Sequence, residues 1–202
     1  NAGKVKTLLL NAIPKIKNIE KDEENKEFIK SKVRTIPNFP KQGIMFRDLT
    51  TLFKDSEAMK KLIEIFHAHY KNKSIDLVAG IESRGFIIGG ILAEKLNCGF
   101  VPIRKKGKLP AETLQQEYNL EYGKDTIEIH RDAIKPGQKV LLIDDLIATG
   151  GSASASCELI KKLGGNIIEC AFIAELEDLG GRKKLEEKGY NLFSIIKYQE
   201  SS

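Results

Sequence analysis

The chain has 202 residues, of which 41% are hydrophobic and 30% are charged. This length allows one domain with a buried core, and these proportions argue against a disordered chain. The net charge of +5 suits a small polyanionic substrate as well as a nucleic acid. Because no basic stretch is interleaved with aromatic residues, we expect a protein that binds small molecules and no nucleic acid.

The three cysteines, Cys98, Cys157 and Cys170, do not include a C-x-x-C pair. An odd count without such a pair argues against a disulfide framework and against a zinc site. A reducing compartment is the default for such a chain. The sequence has no run of eighteen apolar residues, and the run at 8–10 is too short for a signal peptide, so we expect a cytoplasmic protein without a membrane span.

The N-terminal part of the chain differs from the rest in composition. Residues 1–24 are polar and rich in Lys and Asn, and we interpret them as an extension, in part an arm or a cloning scar, ahead of a domain at 25–202. Apolar residues at helical spacing predict helices from about Asp22 to Val33 and from Ser56 to Tyr70, the second capped by Ser56. Two prolines and a glycine indicate a structured loop over 36–43.

Strands and helices alternate in the remainder of the chain. Short apolar or alternating runs predict strands at 75–80, 99–103, 126–130, 140–143, 167–174 and 192–197, with helices at 85–96 and 152–163. Strands separated by helices indicate a largely parallel sheet with helices on both faces. The polar segment between Arg104 and Asp125 has little periodicity, and a loop of that length is typically functional or mobile.

The strongest functional signal is the run from Val140 to Ser152. An apolar strand leads into Asp144 and Asp145, and the sequence Ala-Thr-Gly-Gly-Ser then opens a helix. Ligands of open α/β sheets bind beyond the carboxyl ends of the strands, and a helix start preceded by glycine offers free N–H groups to a phosphate. Carboxylates would repel a bare phosphate but accept hydrogen bonds from sugar hydroxyls. The run therefore indicates a sugar-phosphate site.

The alternative reading of this run is a solvated strand end followed by an ordinary turn and helix cap. Two competing phosphate motifs are missing from the sequence. G-x-x-x-x-G-K followed by Ser or Thr does not occur, which argues against a P-loop nucleoside triphosphatase. G-x-G-x-x-G does not follow a strand, which argues against a dinucleotide-binding fold.

The same run resembles the phosphoribosyl pyrophosphate signature of the type I phosphoribosyltransferases, and the chain is similar to members of that family that act on adenine. Three more stretches, 36–48, 79–86 and 104–123, carry the likeness, which covers roughly residues 25 to 199. Ser152 stands where Thr is usual and keeps the hydroxyl. The resemblance implies an α/β fold with a central, mainly parallel sheet flanked by helices, a small hood and a mobile lid loop.

The resemblance also implies an activity and the residues that perform it. Ribose 5-phosphate would pass from phosphoribosyl pyrophosphate to adenine, giving AMP and pyrophosphate, with Mg²⁺ held mainly by the substrate rather than by direct protein ligands. The 5-phosphate would bind Ala148, Thr149, Gly150, Gly151 and Ser152, and the ribose hydroxyls would bind Asp144 and Asp145. Pyrophosphate would bind Arg84, which is also a catalytic candidate, together with Arg104, Lys105 and Lys108. Adenine would lie among Ile44, Met45, Phe46, Arg47 and Leu176.

Glu121 is the second catalytic candidate. Its place in the matching stretch Leu-Glu-Tyr-Gly makes it the expected general base for the proton that adenine loses. Without that match, a glutamate in a loop is more often a surface charge. We expect the segment that contains Glu121 to act as a lid that excludes water. The resemblance further implies a cis peptide at Glu82-Ser83 and a homodimer.

Two other functions remain open at the level of the sequence. The first is a relative that acts on a 6-oxopurine or on orotate. The second is a non-enzymatic regulator that keeps the sugar-phosphate site and binds nucleic acid through its N-terminal arm.

Overall fold

The computed structural model describes residues 21–119 and 123–199. Within these residues the chain divides between Lys61 and Leu62 into two compact units. The boundary that we expect near residue 25 stays a prediction, because residues 1–20 lie outside the described part.

The first unit combines helical segments with a two-stranded sheet. Its elements are α1, which includes residues 21–31, β1 (Arg34–Pro37), β2 (Met45–Asp48), α2 (Thr50–Phe53) and the start of α3 (Ser56–Tyr70). The two strands pair antiparallel, with Arg34 opposite Asp48. The predicted helices at 22–33 and 56–70 are therefore present, and the predicted loop at 36–43 begins inside β1.

The start of α3 corrects our expectation that Ser56 caps this helix. The side chain of Asp55 accepts hydrogen bonds from the backbone N–H groups of Glu57 (3.1 Å) and Ala58 (3.0 Å). Asp55 therefore caps the helix, and its negative charge lies at the positive end of the helix dipole.

The second unit is built on a seven-stranded sheet with the order β5-β6-β4-β3-β7-β8-β9. Its strands are β3 (Leu77–Ile81), β4 (Gly99–Lys105), β5 (Thr113–Asn119), β6 (Lys124–His130), β7 (Lys139–Ile147), β8 (Asn166–Leu176) and β9 (Leu192–Tyr198). β3 is parallel to β4 and β7, β8 is parallel to β7 and β9, and β6 is antiparallel to β4 and β5. The predicted fold class, a mainly parallel sheet flanked by helices, is confirmed.

The helices of this unit are α4 (Arg84–Leu96), α5 (Gly151–Lys162) and α6 (Gly181–Glu186). Of these, α4 and α5 cover opposite faces of the sheet. Neighbouring side chains of a strand point to opposite faces, and two neighbours in β7 pack against different helices. Leu142 of β7 belongs to a buried cluster with Ile160 of α5. Its neighbour Ile143 lies against α4, where a Cβ added to Gly89 would be 2.9 Å from Ile143 Cγ2. Of the described helices, none is both long and apolar enough to cross a membrane.

The segment between Arg104 and Asp125 is not a loop throughout, contrary to our expectation. β5 and β6 form an antiparallel hairpin that runs from the pair Thr113 and His130 to the pair Asn119 and Lys124. Leu114 and Tyr118 of β5 pack against the core, but Gln116 lies between them on the same face. Two apolar residues separated by a glutamine are too weak an alternation to predict the strand from its sequence.

Candidate functional site

The run between β7 and α5 forms a tight turn. The sequence predicts a strand that ends at residue 143, with both acids beyond it. In the structure β7 continues to Ile147, so Asp144 and Asp145 lie inside the strand. Residues 148–150 make the turn, and Gly150 caps α5 with φ +71°, a conformation that favours glycine. The first turn of α5 therefore begins directly after the loop, and its N–H groups have no partners within the helix.

The end of β5 packs closely against the start of α5, directly after this turn. A Cβ added to Gly151 would lie 3.0 Å from the carbonyl oxygen of Asn119 and 3.2 Å from Cδ2 of Tyr118. The hairpin thus brings the residues that precede 120–122 to the start of α5. Glu121, the candidate general base, lies outside the described residues.

The two acids of β7 have different surroundings although both are buried. Asp144 is 9% exposed, and its Oδ1 accepts the backbone N–H of Asp145 at 2.8 Å. Asp145 is 3% exposed, and its carboxylate accepts a hydrogen bond from Nε of Arg84. Burial, and after it the neighbouring charge of Asp145, raises the pKa of Asp144 well above its ordinary value. Buried carboxylates need donors, and the hydroxyls of a sugar can supply them.

Arg84 reaches Asp145 because α4 begins very close to β7. A Cβ added to Gly85 would lie 2.8 Å from the carbonyl oxygen of Ile143, so only glycine permits this approach. The peptide between Glu82 and Ser83, just before α4, is cis, as the resemblance implies.

Arg104 is held by Glu82, for which the sequence predicts a cis peptide but no contact with the basic segment. Nε and Nη2 of Arg104 lie 3.2 and 3.4 Å from the carboxylate oxygens of Glu82, and Nη1 donates to the carbonyl of Lys108 at 2.9 Å. The backbone N–H of Lys105 also donates to Glu82, at 3.0 Å. Glu82 thereby fixes the basic turn 104–108 beside the start of α4.

A second acid, Glu128 of β6, holds the other end of this turn. Its Oε1 accepts the backbone N–H groups of Lys108 and Leu109, each at 2.9 Å. Burial opposes ionisation of Glu128, but hydrogen bonds from the backbone of Leu109, Gly107 and Lys108 hold its pKa below the ordinary value. The turn therefore rests on a buried anion, while the side chains of Lys105 and Lys108 are exposed.

The burial of Glu128 is a feature that the sequence concealed. The alternation of Ile127 and Ile129 with polar neighbours predicts an outward-facing Glu128, yet all three residues are 2% exposed or less. The hydrogen bonds that make its burial possible come from the basic turn, about 20 residues away, so the local sequence pattern does not indicate them.

The residues expected to bind adenine lie in different units. In the first unit Ile44 and Met45 are 37% and 43% exposed, whereas Arg47 is buried and donates to Oγ1 of Thr35 at 2.7 Å. The ring of Phe46 meets that of Phe39 edge to face, with centroids 5.1 Å apart. Leu176 ends β8 in the second unit. The assignment of these five residues to an adenine pocket stays a prediction.

The sheet, the acid-bearing strand and the glycine turn define the class of protein. Residues 50–202 match the family model described as the phosphoribosyl transferase domain. This match covers most of the chain and includes the turn, both acids and the basic segment.

Individual relatives give a narrower assignment. The adenine phosphoribosyltransferase of Nitrosospira multiformis is 55% identical over 171 residues, which are 85% of this chain and 98% of the relative. The crystal structure of adenine phosphoribosyltransferase from Thermoanaerobacter pseudethanolicus is 50% identical with a TM-score of 0.82, and the match covers 86% of this chain and 99% of that one. The corresponding enzyme of Saccharomyces cerevisiae, in complex with D-2,5-dideoxy-2,5-imino-altritol 1,6-bisphosphate and adenine, is 41% identical with a TM-score of 0.80, over 86% and 99% of the two chains. The chain therefore belongs to the phosphoribosyltransferase family, among the adenine phosphoribosyltransferases.

Proposed function

We propose that this protein transfers ribose 5-phosphate from phosphoribosyl pyrophosphate to adenine, giving AMP and pyrophosphate in purine salvage. The observation that carries the proposal is the buried pair Asp144 and Asp145 on a strand that leads directly into the glycine turn and the open first turn of α5. Relatives named for adenine, and the adenine in the yeast complex, support adenine over a 6-oxopurine or orotate as the base.

The reaction exchanges one bond at the anomeric carbon for another. The bond from this carbon to the pyrophosphate oxygen breaks, N9 of adenine bonds to the carbon, and adenine loses a proton. Positive charge grows on the ribose during the exchange, so fixed groups that hold the sugar and favour this charge lower the barrier. Asp144 and Asp145 hold the ribose hydroxyls in this proposal, and residues 148–152 hold the 5-phosphate.

The departing pyrophosphate needs positive charge. Arg84 offers a forked guanidinium beside the acids, and the basic turn offers the exposed side chains of Lys105 and Lys108. Arg104 contributes its charge and also holds the turn, through Glu82 and the carbonyl of Lys108.

Mg²⁺ fits this arrangement as an ion carried mainly by the substrate. It prefers oxygen ligands and keeps several waters, and diphosphate oxygens and hydroxyls would meet that preference beside the carboxylates of β7. When bound, it neutralises part of the charge of the leaving pyrophosphate.

Glu121 is the proposed general base for the adenine proton. The hairpin supports this role, because β5 brings residue 119 to the start of α5. In this proposal the segment between Arg104 and Asp125 acts as a lid, so that water does not attack the sugar.

The decisive experiment measures pyrophosphate release with phosphoribosyl pyrophosphate, Mg²⁺ and, in separate reactions, adenine, guanine, hypoxanthine or orotate. We expect turnover with adenine, and its absence there would refute the proposal. Glu121→Gln should lower kcat roughly 10²-fold or more, because a positioned base contributes that much. Glu117→Gln is the matched control, since Glu117 is an exposed residue of the same hairpin that pairs with Lys124. Equal rates for the two variants would remove Glu121 from its role.

We further propose that the protein acts as a homodimer in the cytoplasm. Sedimentation equilibrium gives the mass of the assembly, and a monomeric mass at working concentrations would contradict the proposed dimer.

The regulator alternative predicts that the protein binds nucleic acid. A gel shift with duplex DNA at low salt tests it, and we expect no binding.

A further inference from the structure

The short helix α6 has no apolar period that would predict it, and it begins directly against the glycine turn. A Cβ added to Gly181 would lie only 2.3 Å from the carbonyl oxygen of Ala148 and 2.7 Å from Cγ1 of Ile147. A Cβ added to Gly150 would in turn lie 3.0 Å from the carbonyl oxygen of Gly181. The two backbones therefore meet without room for a side chain on either side.

The residue after this contact is anchored by a forked ion pair. Nε and Nη2 of Arg182 donate to the two carboxylate oxygens of Glu175 at 2.7 and 2.6 Å. Nη1 of Arg182 also donates to the carbonyl of Leu192, at 3.2 Å. A two-pronged pair of this kind fixes orientation as well as distance.

Glu175 itself lies beside the turn. In the parallel pairing of β7 and β8 it stands opposite Ile147, the last residue of β7. It is 2% exposed, and the hydroxyl of Ser194 donates to its Oε2 at 2.6 Å. A continuous series of contacts thus connects the turn to Gly181, Arg182 and Glu175, and Glu175 pairs with the strand that enters the turn.

We infer that Arg182 is a positioning residue for the 5-phosphate of the substrate: with Glu175 it presses Gly181 against residues 148–150 and holds the backbone of the turn in its phosphate-binding shape. This inference rests on the proposed function, in which residues 148–152 bind that phosphate. A turn that is held in its bound shape loses less freedom on binding, so its affinity for the phosphate is higher. Arg182 acts through backbone contacts and does not touch the substrate.

The experiment separates the two anionic parts of the substrate. Calorimetry with Mg²⁺ gives dissociation constants for ribose 5-phosphate, which needs the turn, and for pyrophosphate, which needs the basic segment 104–108. We compare the parent with Arg182→Lys, which keeps the charge but loses the fork, and with Gly181→Ala. Lys183→Ala on the same helix and Gly90→Ala in α4 are the matched controls, because Lys183 is exposed and a Cβ on Gly90 meets no atom within 4 Å.

We expect both test variants to bind ribose 5-phosphate roughly tenfold more weakly, a change of about 1.4 kcal/mol, while pyrophosphate binding stays within about twofold of the parent. In turnover, KM for phosphoribosyl pyrophosphate should rise while KM for adenine stays near that of the parent. Unchanged binding of ribose 5-phosphate would overturn the inference. So would an equal loss for both ligands, which is the signature of general damage to the fold.

A further variant distinguishes this inference from the function on which it rests. Ser152→Ala removes a proposed hydroxyl donor to the 5-phosphate in the first turn of α5, and if it leaves ribose 5-phosphate binding unchanged, the proposed phosphate site is wrong. If Ser152→Ala weakens binding but Arg182→Lys does not, only the role of Arg182 is wrong. Should Gly181→Ala fail to fold, Ser194→Ala takes its place, with the same selective loss expected because it removes one donor to Glu175.

Discussion

Glu128 shows how a single buried acid can shape a surface that binds anions. Its carboxylate is enclosed by backbone donors, with the hydroxyl of Thr113 also near at 3.3 Å, and the basic turn is wrapped around it. The lysines can then face outward with their backbone already fixed. The negative charge stabilises the turn because its donors are backbone N–H groups, which remain in place whatever the lysine side chains do.

Replacing Glu128 by Gln should therefore weaken the turn more than its small change in size suggests. The amide oxygen can keep the backbone donors of Oε1, but the NH₂ group then replaces Oε2, which accepts from Thr113 and Gln115, and the negative charge is lost. We expect a loss of about 1–3 kcal/mol in the free energy of unfolding. KM for phosphoribosyl pyrophosphate should rise while KM for adenine changes little. Chemical denaturation and steady-state kinetics measure both effects. Glu112→Gln serves as the control, because Glu112 is 90% exposed, and equal behaviour of the two variants would contradict the role given to Glu128.

The cysteines provide a second prediction for individual residues. Cys157 and Cys170 are fully buried with their Sγ atoms 3.6 Å apart, whereas Cys98 is partly exposed. The contact with Cys170, together with burial, raises the pKa of the Cys157 thiol, so its reactive thiolate is scarce. A thiol reagent should modify one cysteine in the native protein, Cys98, and the other two only in denaturant. The folded Cys98→Ser variant should not react with the thiol reagent. Rapid labelling of this variant would contradict the prediction, because it would show that the buried pair is accessible.

Among the elements, β2 and α2 are joined by Asp48. Its Oδ1 accepts the hydroxyl of Thr50 at 2.6 Å and the backbone N–H of Thr50 at 2.9 Å, while Arg34 binds the other oxygen. These contacts, first the Thr50 hydroxyl and then Arg34, lower the pKa of Asp48 from 3.8 to about 2. The strand, the helix start and the neighbouring strand therefore share one ionised carboxylate.

Because folding lowers the pKa of Asp48, we predict that acid lowers the stability of the first unit. The unfolded chain takes up the proton near pH 3.8 and the folded chain only near pH 2, so the contribution of Asp48 is complete above pH 3.8 and is lost as the pH falls towards 2. Denaturation followed by circular dichroism at pH 7, 4 and 2.5 measures this loss. Asp48→Asn should be less stable at pH 7 and should lose less stability on acidification. A parallel pH dependence in both proteins would contradict the assignment.

Elements with an apolar period were predictable, and those held by polar contacts were not. α3 and α4 follow their periodicity closely, and β7 shows the continuous apolar run of a strand that is covered on both faces. The inner face of β5 has Gln116 between its apolar residues Leu114 and Tyr118, and α6 has only six residues. Their place comes from pairing with β6 and from the Arg182 anchor, which no local window of sequence contains.

At the scale of the whole molecule, the proposed product should stabilise the fold. A ligand that binds only the native state at one hundred times its dissociation constant adds about 2.7 kcal/mol to the free energy of unfolding. AMP should therefore raise the melting temperature, and Thr149→Ala, which alters the turn at an exposed position, should reduce the increase at the same AMP concentration. Differential scanning calorimetry measures both. An equal increase with GMP or orotidine monophosphate would argue against selection of the adenine base.

The sequence by itself determined the strand, the twin acids and the glycine turn, because these residues are consecutive and their chemistry depends on local order alone. It also determined the class of fold, since hydrophobic periodicity follows from which faces are covered. Only the tertiary structure decided which charges meet. Arg84 and Asp145 are 61 positions apart, and Lys108 and Glu128 are 20 apart. Such pairs form because sheet order and close glycine contacts bring distant segments together, and the pairs then fix the shape of the turns between which the substrate is proposed to bind.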